Sequence, residues 1–423
     1  MDSTKSYIGH IDLPNDDSPK FCHLGISQNN EVSFAFLTEK RLDQSLDIPV
    51  VNGNFEGIGE ITLINCRRKR YSTNYSKYVK YEYYAELLIK GMIFKAPEEI
   101  TPTELAFRLE NLNEWIIPNN FSLNFETTEP YLQKEYDFSI DYQSEMVITI
   151  KNRMATSYNS KQSQKREITW IKFHCILENM GFSFETVIRL SKLFKKFIIF
   201  LTGKIYPLEL IYCESDEWNI VYPDGSKSKR SIEITSFQNA FPEHFFMAEL
   251  TFTFQEIEVH FETLVEKWYN SMEKFEYLVD LLLTYFLFPG ISRQSHFMNT
   301  VSAYEGLYKH SHNRKKELGE VLKDTIDFIE MFYPANYEDF REKCRVGRNF
   351  FAHGKKNKHS DEIFNDFELL YASKCLSIIG KYWLLKEFGV DNNLLDEKLD
   401  QSAKYFRDLM MMNKRIAEKR IIY

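Results

Sequence analysis

Apolar and polar residues alternate along much of the first 165 residues, and this is the period of half-buried strands. The dipeptide Asn52-Gly53 predicts a tight turn within this region, because both residue types readily adopt positive φ. Segment 103–115 departs from this alternation, because its leucines recur at helical intervals, and a short helix is predicted there. Strands are predicted at four places in the region: 31–37, 57–64, 78–89 and 137–150.

The hydrophobic period becomes that of an α-helix over 183–203, where Ser183 can cap the first turn and Gly203 can end the last. The next stretch predicts two strands, LELIYC and EWNIVY, followed by a turn at 223–225. From about residue 256 the helical period continues towards the end of the chain. It predicts helices over 261–288, 292–311, 318–332, from 337 to the glycine at 354, over 361–388 with Ser360 as the cap, and over 394–420.

These elements predict an α+β multidomain chain, with a β-rich N-terminal region followed by an all-α helical bundle. At 423 residues the chain exceeds the size of one ordinary hydrophobic core, so two or three domains are expected. The changes of period set the predicted boundaries. The segments are a β-rich domain over 1–165, a mixed α/β continuation over 166–255 and the helical domain over 256–423.

Composition and charge narrow the kind of protein. The formal net charge of −8 does not suggest a protein that coats nucleic acid, although a nuclease needs only a local basic surface. The six cysteines are scattered without metal-ligand spacing, and we interpret them as reduced thiols of a cytoplasmic protein. The longest apolar stretch, 278–291, contains Asp280 and ends at a Pro-Gly pair, so no membrane span is expected.

The segment GRNFFAHGKKNK, at 347–358, carries the candidate chemistry. Gly354 can end the helix that starts near 337, which makes His353 the last helical residue. A helix dipole favours cations at this end, so a helix C-terminus followed by a solvated lysine loop is the simplest interpretation. The local charge is nevertheless strong for an acidic protein. Between 341 and 358 one acid, Glu342, stands against seven basic residues: Arg341, Lys343, Arg345, Arg348, Lys355, Lys356 and Lys358.

Helical spacing raises a geometric question about this segment. Asn349 and His353 are four residues apart and share one face, which Arg345 extends by one turn. Arg348 lies about 140° around the helix from His353, so an unbroken helix does not direct both side chains to one point. Either the last turn loosens, or two copies of the segment face each other and share a cleft.

These residue types suit the cleavage of an RNA phosphodiester bond. An imidazole can take a proton from the 2′-hydroxyl or give one to the leaving oxygen. A guanidinium can hold the phosphate and stabilise the charge of the transition state, and the Asn349 amide can orient either partner. The sequence has no Asp/Glu cluster that suggests a metal site, so neither a metal nor another cofactor is expected.

The string RNFFAH resembles the R-N-x-x-x-H form of a motif of the HEPN (higher eukaryotes and prokaryotes nucleotide-binding) superfamily. Its members are small helical bundles, and many are metal-independent ribonucleases. Upstream, HFMNTVSAYEGLYK is similar to a helix of the ApeA-like HEPN group, with Glu305 as the glutamate of that helix. GHIDLP and GIGEITL resemble strings of the ApeA N-terminal domain, and that family is linked to anti-phage defence by abortive infection.

The resemblance implies an anti-phage endoribonuclease whose N-terminal domain senses infection or regulates the nuclease. Arg348 and His353 are implied to be catalytic, with Asn349 in support, and Glu305 is expected to pair Arg348 or orient His353. One motif match in the chain implies a homodimer, because HEPN sites usually form where two motifs meet. The implied partners are RNA (tRNA or another single-stranded RNA) and a phage-derived trigger, without a membrane. The expected RNA-binding residues are Arg345, Lys355, Lys356 and Lys358.

Two other interpretations stay open. The bundle could be a catalytically inactive HEPN module that binds RNA or a partner protein, or the β-rich region could carry the function by binding a ligand. Segment 65–84 also places six basic residues among tyrosines before its first acid, a mixture that can bind a nucleic-acid backbone and stack bases. An exposed strand pair protected by lysines is the favoured interpretation of this segment, and its tyrosines could equally form a core face.

Overall fold

Alternate side chains are buried along the first strands, so one face of each strand lines a common core. The computed structural model describes these strands and the elements that follow them within residues 5–14, 16, 18–28, 30–39, 47–73, 78–110, 112–116, 146–159, 162–175, 182–236, 250–287, 290–312, 337–353 and 363–420. The predicted strands at 31–37, 57–64 and 78–89 correspond to strands in the structure. Of the strand predicted over 137–150, the part before 146 lies outside the described residues.

The first six strands close into an antiparallel β-barrel in the order β3-β2-β1-β4-β5-β6, and β6 pairs back to β3. They are β1 (Lys5–Asp12), β2 (Lys20–Ile26), β3 (Val32–Thr38), β4 (Asp47–Phe55), β5 (Gly59–Thr73) and β6 (Val79–Lys90). Aromatic rings fill much of the interior. The ring centroids of Phe34 and Tyr83 are 5.3 Å apart, and those of Phe36 and Tyr81 are 5.7 Å apart, both in stacked pairs.

Strand β6 also continues the sheet beyond the barrel, in the order β6-β11-β10-β7-β9-β8. Every pairing in this extension is antiparallel. The elements are β7 (Glu104–Leu109), α1 (Leu112–Ile116), β8 (Met146–Asn159), β9 (Gln162–Cys175), α2 (Phe184–Thr202), β10 (Leu208–Val221) and β11 (Lys227–Ser236). Helix α2 begins and ends as predicted: the Ser183 hydroxyl accepts a hydrogen bond from the Thr186 amide at 3.2 Å, and Gly203 has a φ of 64°.

Helices make up the C-terminal part of the chain. They are α3 (Phe254–Ile257), α4 (Phe261–Leu287), α5 (Arg293–His312), α6 (Tyr337–His353), α7 (Asp366–Glu387) and α8 (Asn392–Arg420), with a 3-10 turn at Glu258–His260 before α4. Trp268 of α4 is fully buried, 5.4 Å between ring centroids from Phe388. The predicted class, a β-rich N-terminal region followed by an all-α region, is confirmed. The helix predicted over 318–332 lies outside the described residues.

The chain divides into two compact units. One comprises Met1–Lys195 with Tyr206–Ala240, and the other comprises Lys196–Ile205 with Phe241–Tyr423. The barrel and its sheet extension belong to the first unit, and α3 to α8 belong to the second. The predicted segments 1–165, 166–255 and 256–423 stay a prediction about domains.

The turn predicted at Asn52-Gly53 is wrong, because both residues lie inside strand β4. Gly53 serves close packing there: a Cβ on it would lie 2.6 Å from the carbonyl oxygen of His10. The chain turns instead at 56–58, where Gly57 has a φ of 83°, and Gly59 has a φ of 74°. Positive φ is therefore needed at Gly57 and Gly59, four and six residues after Gly53.

Two other local predictions are wrong. The helix predicted over 103–115 is strand β7 followed by the short helix α1, and LELIYC and EWNIVY are parts of one irregular strand, β10. In β7 the consecutive residues Leu105, Ala106 and Phe107 are all buried. Because both faces of β7 are buried, the strand loses the alternation that would separate it from a helix.

Candidate active site

The motif lies at the end of helix α6, which runs unbroken from Tyr337 to His353. Phe340, Cys344 and Gly347 recur every three or four residues along it and are buried, while charged residues occupy the opposite side. This amphipathic pattern packs one side of the helix into the bundle and presents the other to solvent. Because α6 stays α-helical through His353, a loosened last turn does not bring Arg348 and His353 together in one chain.

Aromatic packing fixes the position of the motif helix. Phe297 of α5 is fully buried and lies 6.2 Å from Phe351 of α6 and 5.9 Å from Phe364, measured between ring centroids. Phe364 precedes α7 and also lies 5.6 Å from Phe340 of α6. Aromatic rings of the preceding helix α5 and of the segment before α7 thus hold the motif helix in place. Such aromatic pairs contribute about 0.5–1.5 kcal/mol each beyond their buried area.

Arg348 forms a small polar cluster on the surface of the bundle. Its Nη1 donates a hydrogen bond to Oδ1 of Asn349 at 3.3 Å, and its Nη2 lies 3.5 Å from Oε2 of Glu305 on α5. The side chains of Arg348 and Glu305 are 35% and 31% exposed. The structure therefore brings three of the predicted site residues together, and the guanidinium is held in place while part of it stays open to solvent.

His353 stands apart from this cluster. It is the last residue of α6 and is exposed. Within the part of the chain that the structure describes, its ring forms no hydrogen bond or ion pair. The predicted helix-ending Gly354 and the predicted RNA-binding Lys355, Lys356 and Lys358 lie outside the described residues. In one chain, the two predicted catalytic side chains are on one helix but do not touch.

Arg345, also predicted to bind RNA, forms an ion pair on its own helix. Its Nε and Nη2 donate to the two carboxylate oxygens of Glu342, at 3.0 and 2.5 Å. The guanidinium lowers the pKa of the Glu342 carboxyl below its usual value. The i,i+3 spacing of the two residues predicts this contact from sequence. A phosphate that binds Arg345 has to compete with Glu342, and this competition makes Arg345 a weaker RNA ligand than an unpaired arginine.

The helix that follows the motif in the described chain begins at a cap that sequence reasoning missed. Helix α7 begins at Asp366, so the predicted start after Ser360 is wrong. The side chain of Asn365 accepts a hydrogen bond from the Glu368 amide at 3.0 Å, and the Glu368 carboxylate accepts one from the Asn365 amide at 2.9 Å. The Asn-x-x-Glu spacing of this capping box is the signal that locates the true start. Glu368 also lies 3.5 Å from the Lys343 ammonium of α6, which links the two helices.

The described residues carry neither a metal-ligand cluster nor a membrane-spanning helix. Among them, no group of three or more His, Cys, Asp or Glu side chains is arranged to hold a metal ion. None of the helices within the described ranges is long and apolar enough to cross a membrane. Independence from metal stays a prediction about the reaction.

Comparison with known protein families gives two matches that together cover nearly the whole chain. Residues 6–268 match the family described as ApeA N-terminal domain 1. Residues 262–394 match the family described as Apea-like HEPN, and this range contains Glu305, Arg348, Asn349 and His353. No curated protein and no solved structure matches the sequence.

Proposed function

The chain belongs to the ApeA N-terminal domain 1 family and also contains an Apea-like HEPN domain, and from this combination we propose that it is a metal-independent endoribonuclease of anti-phage defence. One observation supports the proposal above the others. The sequence Arg-Asn-x-x-x-His ends helix α6 inside the matched HEPN range, where Arg348 lies beside Glu305 and Asn349 and His353 is open to solvent. A fixed guanidinium can stabilise the charged transition state of RNA phosphodiester cleavage, and an accessible imidazole can transfer the proton.

The proposed reaction uses the RNA 2′-hydroxyl as the nucleophile. His353 takes the proton from the 2′-hydroxyl while the new 2′-O–P bond forms, and the resulting imidazolium gives this proton to the leaving 5′-oxygen as the P–O5′ bond breaks. Arg348 holds the phosphate and stabilises the additional negative charge of the transition state. The products are a 2′,3′-cyclic phosphate and a 5′-hydroxyl. Atoms and charges balance without a metal ion or a water molecule.

A homodimer would complete the site. Arg348 and His353 lie about 140° apart around an unbroken helix, so one chain does not direct both groups to one phosphate. A two-fold pair of α6 helix ends could place Arg348 of each chain near the partner subunit's His353, because a two-fold interface presents the same patch from both copies. Glu305 would then position Arg348 within each half of the site.

The N-terminal region would control the nuclease. We expect the barrel and its sheet extension to respond to a phage-derived trigger, since a nuclease that halts the cell has to be inactive before infection. Cleavage of tRNA or another single-stranded RNA after triggering would then produce abortive infection. The site of action is expected to be the cytoplasm, where this RNA is found.

The test compares wild-type protein with His353→Ala and with His260→Ala as a matched control. His260 is an exposed histidine in the 3-10 turn before α4, outside the motif. Removing the proton-transfer group should lower RNA cleavage by about 10²–10⁴-fold. The His260→Ala variant should cleave RNA at the wild-type rate and leave 2′,3′-cyclic phosphate ends. It should also protect cells from phage to the same extent as the wild type. RNA cleavage and phage protection that persist in His353→Ala would rule the proposal out. RNA binding without cleavage by the wild type would instead support an inactive binding module.

A further inference from the structure

The barrel carries a second concentration of positive charge, on the hairpin formed by β5 and β6. Tyr81 and Tyr83 are buried, with 2% and 1% of their surface exposed, so they belong to the barrel core. Successive side chains of a strand point to opposite faces, so Lys80, Glu82 and Tyr84 point outward. The described basic residues of strands β5 and β6 can therefore be assigned to a face through their pairing, which the sequence alone does not allow.

Three cations of β5 share this outward face. Arg67 pairs with Tyr84 across the hairpin, and Arg70 pairs with Glu82, and directly opposed residues lie on one face. Lys69 lies at the irregularity of the pairing, and its ammonium is 4.3 Å from the ring centroid of Tyr84. All three cations are exposed.

Part of this charge is not taken up by ion pairs among the described residues, although Glu31 and Glu82 act on the Lys69 ammonium at longer range. Glu82 is the only acid between residues 66 and 84, and it is shared by Arg70 at 2.6 Å and Lys80 at 2.8 Å. Arg67 and Lys69 have no carboxylate within ion-pair distance among the residues that the structure describes. Strand β6 is paired on both sides here, to β5 and to β3, so Lys80 does not protect a free sheet edge.

Exposed apolar side chains lie next to these cations. Leu37 of β3 pairs with Lys80 and is 56% exposed. Tyr78 precedes the buried Val79 and is 46% exposed, so it lies on the same outward face. Cations that can hold phosphates beside a tyrosine that can stack on bases are the combination by which proteins bind single-stranded nucleic acid. A local basic surface of this kind is complementary to RNA even though the whole protein carries a negative net charge.

We infer that this hairpin surface, defined by Arg67, Lys69, Arg70, Lys80, Tyr78 and Leu37, binds single-stranded RNA. Arg67 and Lys69 are the main phosphate contacts, because Arg70 and Lys80 share the carboxylate of Glu82, and Tyr78 with Leu37 contacts a base. At its base Arg67 and Tyr84 also line a pocket of about 550 Å³ together with Glu31 and Glu86, so the RNA extends from Arg67 towards Tyr78, away from these carboxylates. The inference rests on the proposed RNA substrate, but its test does not require cleavage.

The test measures the Kd of full-length His353→Ala protein for a fluorescein-labelled single-stranded 20-mer RNA as a function of salt. Arg67→Glu/Lys69→Glu should weaken binding and reduce the slope of log Kd against log salt by about 1.4, because each lost phosphate contact contributes roughly 0.7. Tyr78→Ala should weaken binding about tenfold and leave the slope unchanged, because stacking releases no counter-ions. The matched control is Lys227→Glu/Lys229→Glu, an equal charge reversal on the β10–β11 hairpin, which should bind as the parent does.

Three results would overturn the inference: unchanged binding by the Arg67/Lys69 variant, equal weakening by the Lys227/Lys229 control, or equal competition by polyphosphate, which has no bases. Arg67→Gln/Lys69→Gln removes the charge more mildly, and thermal unfolding verifies that each variant is folded. Failure of the nuclease proposal can be told apart from failure of this inference. If the wild type binds RNA through the hairpin but cuts nothing, the inference holds and the nuclease proposal fails. If a hairpin variant binds and cuts RNA as the wild type does, only the inference fails.

Discussion

Arg348 contacts the Glu305 carboxylate and the Asn349 side chain, while His353 lies exposed at the end of the same helix. The sequence places Asn349 and His353 on one face by spacing alone, because the motif is contiguous and helical. The approach of Glu305 to Arg348 joins two helices, so spacing cannot predict it, and only the family resemblance suggests it. The sequence also does not predict which acid a surface cation pairs with, unless an acid lies three or four residues away on the same helix, as Glu342 does for Arg345.

Replacing Glu305 with Gln should lower RNA cleavage without lowering stability. The ion pair is about one-third exposed, and such pairs contribute only ~0–1 kcal/mol to the free energy of unfolding. Its loss should matter more for the position of Arg348, and we expect kcat/KM to fall about tenfold because small misplacements of a catalytic group are costly. Steady-state kinetics and urea unfolding measure the two effects. Glu262→Gln, at an exposed position in the first turn of α4, is the control.

A Glu305→Gln variant that loses stability in step with its activity would contradict a positioning role, and so would a variant with unchanged kcat/KM. In the first case Glu305 supports the fold, and in the second the Arg348 guanidinium is held sufficiently by Asn349.

Helices α4, α6 and α8 correspond to predicted helices because each buries one side, so the 3.6-residue period survives in the sequence. Helix α7 is buried on nearly all sides between Leu369 and Leu385, and its length is what separates it from a strand. The hydrophobic period does not identify strand β7, because both of its faces are buried. The Asn-Gly signal misleads at Gly53, because this glycine permits close packing and does not form a turn. The interface between α5 and α7 adds a property that no period reveals. His296 of α5 is 3% exposed, and burial, with a contribution from the Lys374 ammonium, lowers the pKa of its imidazole to about 4.

The stability of the helical unit should therefore decrease as the pH falls below 6.5. The unfolded His296 has a pKa of about 6.5 and the folded one a pKa of about 4, so the unfolded state binds more protons between these values. Its contribution is complete above pH 6.5 and is lost progressively as the pH falls towards 4. Between pH 7.5 and 5 the free energy of unfolding should drop by about 2 kcal/mol from this group.

Urea unfolding of the wild type and of His296→Gln at the two pH values measures this contribution. The variant should lose about 2 kcal/mol less than the wild type on acidification, because its amide does not titrate. An equal loss in both proteins would show that His296 is not the titrating group. Amide exchange in α5 and α7 provides the same comparison if the variant is less stable at both pH values.

At the scale of the molecule, the sequence predicts the change from strands to helices but not the closure of the barrel. Closure depends on the pairing of β3 with β6, whose residues are about 45 positions apart, and alternation says nothing about partners at that distance. The family matches of 6–268 and 262–394 place the change of family near the start of α4. The hydrophobic pattern does not predict how chains associate either. Because the unbroken helix α6 does not direct Arg348 and His353 to one point, whether two chains share a site is the central question.

Complementation between two inactive variants tests the shared site most directly. Arg348→Ala and His353→Ala chains are co-expressed with different tags, and RNA cleavage is measured for each variant alone, for the mixture and for the wild type. If Arg348 of one chain works with the partner subunit's His353, a mixed dimer keeps one intact site. Random pairing should then restore about a quarter of the wild-type rate, since about half of the dimers are mixed and each has one of two sites. A mixture as inactive as its components, beside an active wild type, would contradict a site shared between two copies.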